Sequence, residues 1–171
     1  MISIKNFKTY GDLKEEHTSL NEQLAFLKSQ KFDLFYEEAI SLLRFIQKEL
    51  KLLDLEIENN SINNNFVAKY KGSNLMGEVV KQNNSLNFLF NGEVIATFEV
   101  QPKPHTTIYT QGISVNQDMI KNRILDLEEG IRNIKDEIKA LESNEYVYVL
   151  KNKDKNTIFY KKMEVMNQLI K

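Results

Sequence analysis

Between Met119 and Ser143 the chain reads MIKNRILDLEEGIRNIKDEIKALES, with apolar residues at Ile120, Ile124, Leu127, Ile131, Ile134, Ile138 and Leu141. The intervals alternate four and three, which keeps a narrow apolar stripe on one side of an α-helix. A stripe of that width expects a second helix against it. The spacing predicts a helix over 115–143, opened by a Ser114–Gln117 capping box. The fold must therefore supply a partner helix, from the same chain or from another.

Two candidate partners lie upstream. Asp12 with Glu15 is an N-terminal start signal, and Leu13, His17, Leu20, Leu24 and Leu27 follow at heptad spacing. The pattern stutters around Lys28–Asp33, so helices are expected over 12–30 and 33–58, separate or joined by a kink. The second carries two stripes: Leu43, Ile46, Leu50, Leu53 and Ile57, and, offset around the axis, Phe35, Leu42, Phe45 and Leu52. At 1.5 Å per residue 115–143 spans about 43 Å, close to the length of 33–58. That match predicts antiparallel pairing between the two. The stripe of Phe35, Leu42, Phe45 and Leu52 is then left for the N-terminal helix or for self-association as a homodimer.

Between these helices the period switches from 3.5 to two. The Asn/Ser cluster ENNSINNNF ends the helix. FVAKYK, LMGEVVK, LNFLF and EVIATFEV then read as short strands separated by Gly/Asn turns. Asn91-Gly92 is the strongest hairpin signal. A two-residue turn there sets Phe88 opposite Ile95 and Leu89 opposite Val94, while a bulge would shift the register by one. After Asn144, YVYVLK and TIFYKK read as a second hairpin and MEVMNQLIK as a short terminal helix. The expected fold class is α+β in a single domain, 1–171. Long helices (12–58 and 115–143) form an antiparallel coiled coil or small bundle, with an inserted antiparallel β-sheet head (66–112) and a C-terminal β-hairpin with a terminal helix (145–171).

In outline this layout is similar to prefoldin subunits and to phage Gam-type nuclease inhibitors. The C-terminal hairpin departs from prefoldin, and no residue motif carries a function over from either.

Chemistry-bearing motifs are missing. The chain has no Cys, which excludes disulfides and thiolate chemistry. Phosphate-binding glycine motifs and the nucleophile elbow are absent, and there are only six glycines from which to build a phosphate cradle. His17 stands in a leucine seam, where a hydrogen-bonded imidazole can set register. His105 follows Pro104 in a loop, and neither histidine has metal-ligand spacing. Gly130 sits beside the seam of its helix, either as a tolerated cost or as a point of close approach. No enzyme activity, cofactor or metal is expected. With 23 basic and 24 acidic side chains, there is no global footprint for nucleic acid. Neither a signal peptide nor a membrane span is legible, so the expected location is cytoplasmic.

One segment is locally basic. Lys151, Lys153, Lys155, Lys161 and Lys162 alternate with aromatics that include Tyr148 and Phe159. Lysines beside aromatics suit an acidic protein surface or a nucleic-acid backbone with stacked bases, and equally an edge hairpin kept soluble by charge. The expected function is thus a non-catalytic protein–protein interaction protein, of the style of a phage or mobile-element accessory protein or inhibitor that binds a host-encoded protein. A nucleic-acid-associated protein using the basic ribbon is the first alternative, and a chaperone-like or structural assembly subunit the second.

Overall fold

The structure is a computed structural model that describes residues 3–60, 62–104 and 119–170. The Ser114–Gln117 box, the start of the helix expected from 115, and His105 lie outside the described residues. The first element, α1, is a single helix over Ile4–Lys51 of 48 residues. It begins eight positions before Asp12, so the Asp12–Glu15 signal falls in its interior. Ser3 opens it instead: its carbonyl accepts the Phe7 N–H at 2.9 Å, and its Oγ lies 3.5 Å from the Asn6 nitrogen. No break occurs at Lys28–Asp33.

The helix also stops earlier than 58. Lys48 and Lys51 sit in its last turn, where cations favour the helix dipole. The Leu53 N–H tightens onto the Leu50 carbonyl at 3.0 Å, and Asp54 takes a left-handed φ of 59°. Ile57, at heptad spacing from Leu50 and Leu53, belongs to strand β1 (Glu56–Asn60) and packs against the core from there.

Six more strands follow: β2 (Asn65–Tyr70), β3 (Ser73–Val80), β4 (Ser85–Phe90), β5 (Glu93–Pro102), β6 (Tyr146–Leu150) and β7 (Thr157–Phe159). All seven form one antiparallel sheet in sequence order. The C-terminal pair β6–β7 is therefore no separate appendage, because Tyr146–Leu150 hydrogen-bonds along Phe98–Pro102 of β5. Helix α2 (Met119–Glu142) lies between β5 and β6, and α3 (Lys162–Leu169) closes the chain. No helix among the described residues is long and apolar enough to cross a membrane.

The turns account for the sheet's regularity. Lys71-Gly72 (φ 45° and 82°) and Asn91-Gly92 (φ 47° and 89°) both have the positive dihedrals of a type I′ turn, whose twist matches that of the flanking strands. Beyond Asn91-Gly92, Leu89 pairs with Val94 but Phe88 pairs with Ala96, so Ile95 is the extra residue of a β-bulge. Turn and bulge occur together, and Phe88 and Phe98 both reach the core. In the Asn-rich stretch, Asn60 Oδ1 accepts the N–H groups of Ile62 (3.1 Å) and Asn63 (3.2 Å). The segment read as a helix terminator is a turn between two strands.

The chain divides into two compact units, Met1–Gln30 with Lys103–Glu145, and Lys31–Pro102 with Tyr146–Lys171. In the second, Leu42, Leu43, Ile46 and Leu50 of α1 are buried with Phe66, Leu86, Phe88, Phe98, Val100, Tyr148 and Val165. Both stripes of α1 are covered there by the chain itself as far as Leu50. Leu42 is 0% exposed and Phe35 meets Tyr146 edge-on at 5.5 Å, while Leu52 stands 71% exposed beyond the helix. Phe35, Leu42, Phe45 and Leu52 therefore do not form a free face for self-association. Gly77 sits in mid-strand because a Cβ there would lie 2.5 Å from Phe66 Cε1 and 3.0 Å from Leu43 Cδ1.

In the first unit, α2 buries Ile131, Ile134, Ile138 and Leu141, the inner half of the stripe read from sequence. Residues of α1 in the same unit meet it. Glu137 pairs with Lys28 at 3.4 Å and Lys135 with Glu16 at 3.2 Å, and the His17 ring lies where a Cβ on Gly130 would be 3.2 Å away. An antiparallel pair with His17 opposite Gly130 would put Glu137 opposite Tyr10, about 27 Å along the axis from Lys28. The parallel arrangement puts it opposite Leu24, about 6 Å away and within side-chain reach. The Lys28–Glu137 pair therefore fits a parallel direction within this unit, while Lys135–Glu16 is within reach in either direction. Leu42, Leu43, Ile46 and Leu50 are already buried with the sheet.

Candidate functional site

The residues of the basic ribbon separate into two groups. Tyr148 is buried, and its hydroxyl donates to Glu38 Oε1 at 2.5 Å. Burial, then the hydrogen bond to Glu38 and its negative charge, push the Tyr148 phenol well above the usual tyrosine range. Tyr146 moves the same way, from burial and from the charge of Glu38. Lys162 donates to Ser41 Oγ at 2.5 Å and pairs with Glu38 at 3.3 Å. Glu38, Ser41, Tyr148 and Lys162 thus form a brace that ties α1, β6 and α3 together. Phe159 packs on Phe98 with ring centres 6.0 Å apart. Lys151 pairs with Glu99 at 3.1 Å.

Lys153, Lys155 and Lys161 form the second group. They are exposed and make no ion pair among the described residues. The Glu164 carboxylate accepts the backbone N–H groups of Tyr160 (2.9 Å) and Lys161 (3.3 Å), which fixes the start of α3 and leaves the Lys161 ammonium in water. Of the seven ribbon residues, the fold uses four internally and presents three.

The sheet's topology creates a surface that the sequence reading did not find. In an antiparallel meander alternate turns fall at the same end. The α1–β1 link, the turns Lys71-Gly72 and Asn91-Gly92, and the loop 151–156 therefore share one end of the second unit. Leu52, Leu53, Tyr70, Phe90, Val94 and Ile95 are all exposed there, with Val94 at 58%. The two hairpins are locked side by side, because Asn91 accepts the Asn74 N–H through Oδ1 and donates its own N–H to the Asn74 carbonyl, both at 2.9 Å.

Between them opens a cleft of about 300 Å³. Ala68, Leu75 and Phe90 are successive cross-strand partners on the core-facing side, and Ala68 and Leu75 with Leu55 make its apolar floor. Tyr70 (57% exposed) and Phe90 (48%) are its aromatic walls. Lys69, Lys71, Ser73 and Asn74 complete its rim. Lys69 is held by Glu58 at 2.7 Å, a hydrogen bond that raises its pKa. Lys71 holds its ammonium 5.2 Å from the Tyr70 ring centre. The sequence signal for this surface is a large aromatic immediately before each Gly-containing turn, Tyr70 and Phe90, where turn chemistry does not require one.

Nothing among the described residues gathers three or more His, Cys, Asp or Glu side chains as a metal site.

A long N-terminal helix with a seven-stranded antiparallel sheet defines an α+β protein. Within that class, the chain belongs to the family of the uncharacterized protein MJECS04 of Methanocaldococcus jannaschii. The two are 30% identical over 130 residues, which cover 74% of this chain and 84% of the archaeal one. No protein-family model matches the chain, and no solved structure matches it.

Proposed function

We propose that this is a non-catalytic protein-binding protein whose contact surface is the turn end of the sheet unit. One observation carries the reading: six large apolar side chains are exposed at one end of one sheet, on links and hairpins where polar residues would serve the fold as well. Exposed apolar side chains gathered at one end of a fold are candidates for an interaction site. Lys153 and Lys155, on the loop at the same end, add charge for steering an acidic partner.

The first unit is, in this reading, a two-stranded parallel coiled coil. Its two stripes superpose layer by layer: Leu13 with Leu127, His17 with Ile131, Leu20 with Ile134, Leu24 with Ile138, and Leu27 with Leu141. Every step of four or three on one helix meets the same step on the other, and the His17–Gly130 approach fits that register.

Photo-crosslinking groups placed at Leu52 and at Val94 test the contact surface, with Glu15 on the first unit as control. The expected result is a discrete protein adduct from the first two positions that survives nuclease treatment. Adducts lost on nuclease treatment would support the nucleic-acid alternative, which Lys71, Lys153, Lys155 and Tyr70 favour at the same end. In that case removing the lysines should flatten the salt dependence by about one unit of slope per phosphate contact. Adducts from Glu15 alone would overturn both readings.

A further inference from the structure

We infer that the cleft between the two I′ hairpins holds a single apolar side chain of a partner segment, and that Lys71 receives the carboxylate of an acidic residue next to that anchor. This rests on the protein-binding reading above and names the chemistry of its partner. The size of the cleft is the first argument. At about 300 Å³ it stands at the lower limit of ligand pockets, enough for one or two side chains and too small to enclose a cofactor. Its floor of Leu55, Ala68 and Leu75 between Tyr70 and Phe90 suits an aliphatic or aromatic group.

Charge is the second argument. Lys69 already has Glu58 as its counter-ion, whereas Lys71 makes no ion pair among the described residues. A basic segment would meet the unpaired charge of Lys71, and a neutral one would leave that charge without a counter-ion. The backbone supplies a third argument. Lys71 and Asn91 occupy the same first position of twin I′ turns, with φ of 45° and 47°. Asn tolerates that left-handed conformation and is favoured there, and Lys is not. The lysine is therefore the turn's costly choice, and its ammonium lies beside the cleft.

The test uses the full-length protein, with carbon-13-labelled leucine methyl groups, titrated with end-capped octapeptides. Each peptide carries one Phe flanked by Glu, by Gln or by Lys. The Glu-flanked peptide should shift the Leu55 and Leu75 methyl signals saturably in the millimolar range, with the Lys-flanked peptide weakest. Lys71→Asn suits the turn, so it should leave thermal stability unchanged or higher. It should weaken the Glu-flanked peptide about two- to fivefold, as expected for one solvent-exposed ion pair, and high salt should erase the difference. Phe90→Ser should abolish the response to all three peptides while Lys71→Asn shows that the fold tolerates change at this end. Equal binding of Glu- and Lys-flanked peptides, or silent Leu55 and Leu75 signals with every peptide, would overturn the inference. So would concentration-dependent sedimentation reversed by Phe90→Ser, because the occupant would then be a second copy. If the crosslinks at Leu52 and Val94 form while the cleft stays silent, the contact surface stands and the cleft assignment fails. If the cleft responds and the crosslinks are absent, the wider surface reading fails instead.

Discussion

The same helix obeys the heptad rule at both ends and is used differently in the two units. From Leu13 to Leu27 it offers one stripe, half-buried except at Leu24, and its contacts with α2 include ion pairs between exposed side chains. Such pairs contribute about 0–1 kcal/mol each. From Ala39 to Leu50 it offers two stripes to a sheet, and Leu42, Ile46 and Leu50 are fully buried beside Phe66, Phe88 and Phe98. A helix against a helix buries a seam, whereas a helix under a sheet buries half its circumference. The sheet unit should therefore be the more stable of the two.

That difference sets the largest expected effect. Phe88 is fully buried and edge-on to Phe98, so Phe88→Ala should cost about 3–5 kcal/mol. Leu24→Ala, at the one buried seam position of α1 in the first unit, should cost less, about 2–3 kcal/mol. Hydrogen exchange is the deciding measurement. Leu24→Ala should speed exchange across 4–30 and 119–142 and leave the strands protected. Uniform acceleration in both units would show one cooperative block and erase the contrast.

Gly77 and Gly130 sharpen the comparison further, because each faces a ring in a different unit. Gly77→Ala would bring a methyl 2.5 Å from Phe66 and 3.0 Å from Leu43, so one of these buried side chains must shift. A loss of about 1–3 kcal/mol in chemical denaturation is expected, although Ala is the better β-former. A neutral result would mean that the sheet core gives way as easily as the seam.

Much of this architecture was legible in the sequence. The strands around Asn91-Gly92 and the stripe of α2 follow from period and turn chemistry. What escaped has physical causes. β1 was hidden because EIENN has one apolar residue, and its stability comes from pairing with β2. The end of α1 is masked because Ile57 keeps heptad spacing from inside a strand. The direction of helix pairing was not encoded, since a four-three pattern reads alike in both directions and length matching is a weak guide. The ribbon Tyr148–Lys162 was readable as basic and aromatic, but which side chains a sheet turns inward depends on register with β5. The cleft needs Tyr70 and Phe90 brought together from separate hairpins, which no local pattern displays.

The brace around Glu38 gives a pH test confined to the sheet unit. Tyr148 has its phenol pKa raised in the folded state by burial and by Glu38. Its contribution is fully present below the unfolded value near pH 10 and fades as pH climbs from there toward the higher folded value. Stability should thus fall above pH 10 by up to about 1.4 kcal/mol per pH unit from this group. Tyr148→Phe should lower stability at neutral pH, where it leaves the Glu38 carboxylate short of a donor, and flatten the alkaline loss. Denaturation curves from pH 8 to 11.5 decide it. An unchanged alkaline slope would remove Tyr148 as its source.

The smallest effect concerns Gly130, and there the sign carries the information. In a helix interior Ala is better than Gly by about 1 kcal/mol, so an unobstructed Gly130→Ala would stabilise the first unit by that amount. A Cβ at this position, however, would stand 3.2 Å from His17 Nε2 and 3.3 Å from Cδ2. The ring is not free to swing aside, since Asn21 Nδ2 lies 3.2 Å from His17 Nδ1, a hydrogen bond in which the amide donates and the ring proton sits on Nε2. Crowding should therefore cancel the gain, leaving Gly130→Ala within about 0.5 kcal/mol of wild type. In a His17→Ala background the obstruction is gone, and the same substitution should recover about 1 kcal/mol. The coupling from that double-mutant cycle measures how firmly the histidine and the glycine fix the register of α1 against α2. A gain of about 1 kcal/mol in both backgrounds would make Gly130 a tolerated solvent position, and the register would then rest on the leucine and isoleucine layers alone.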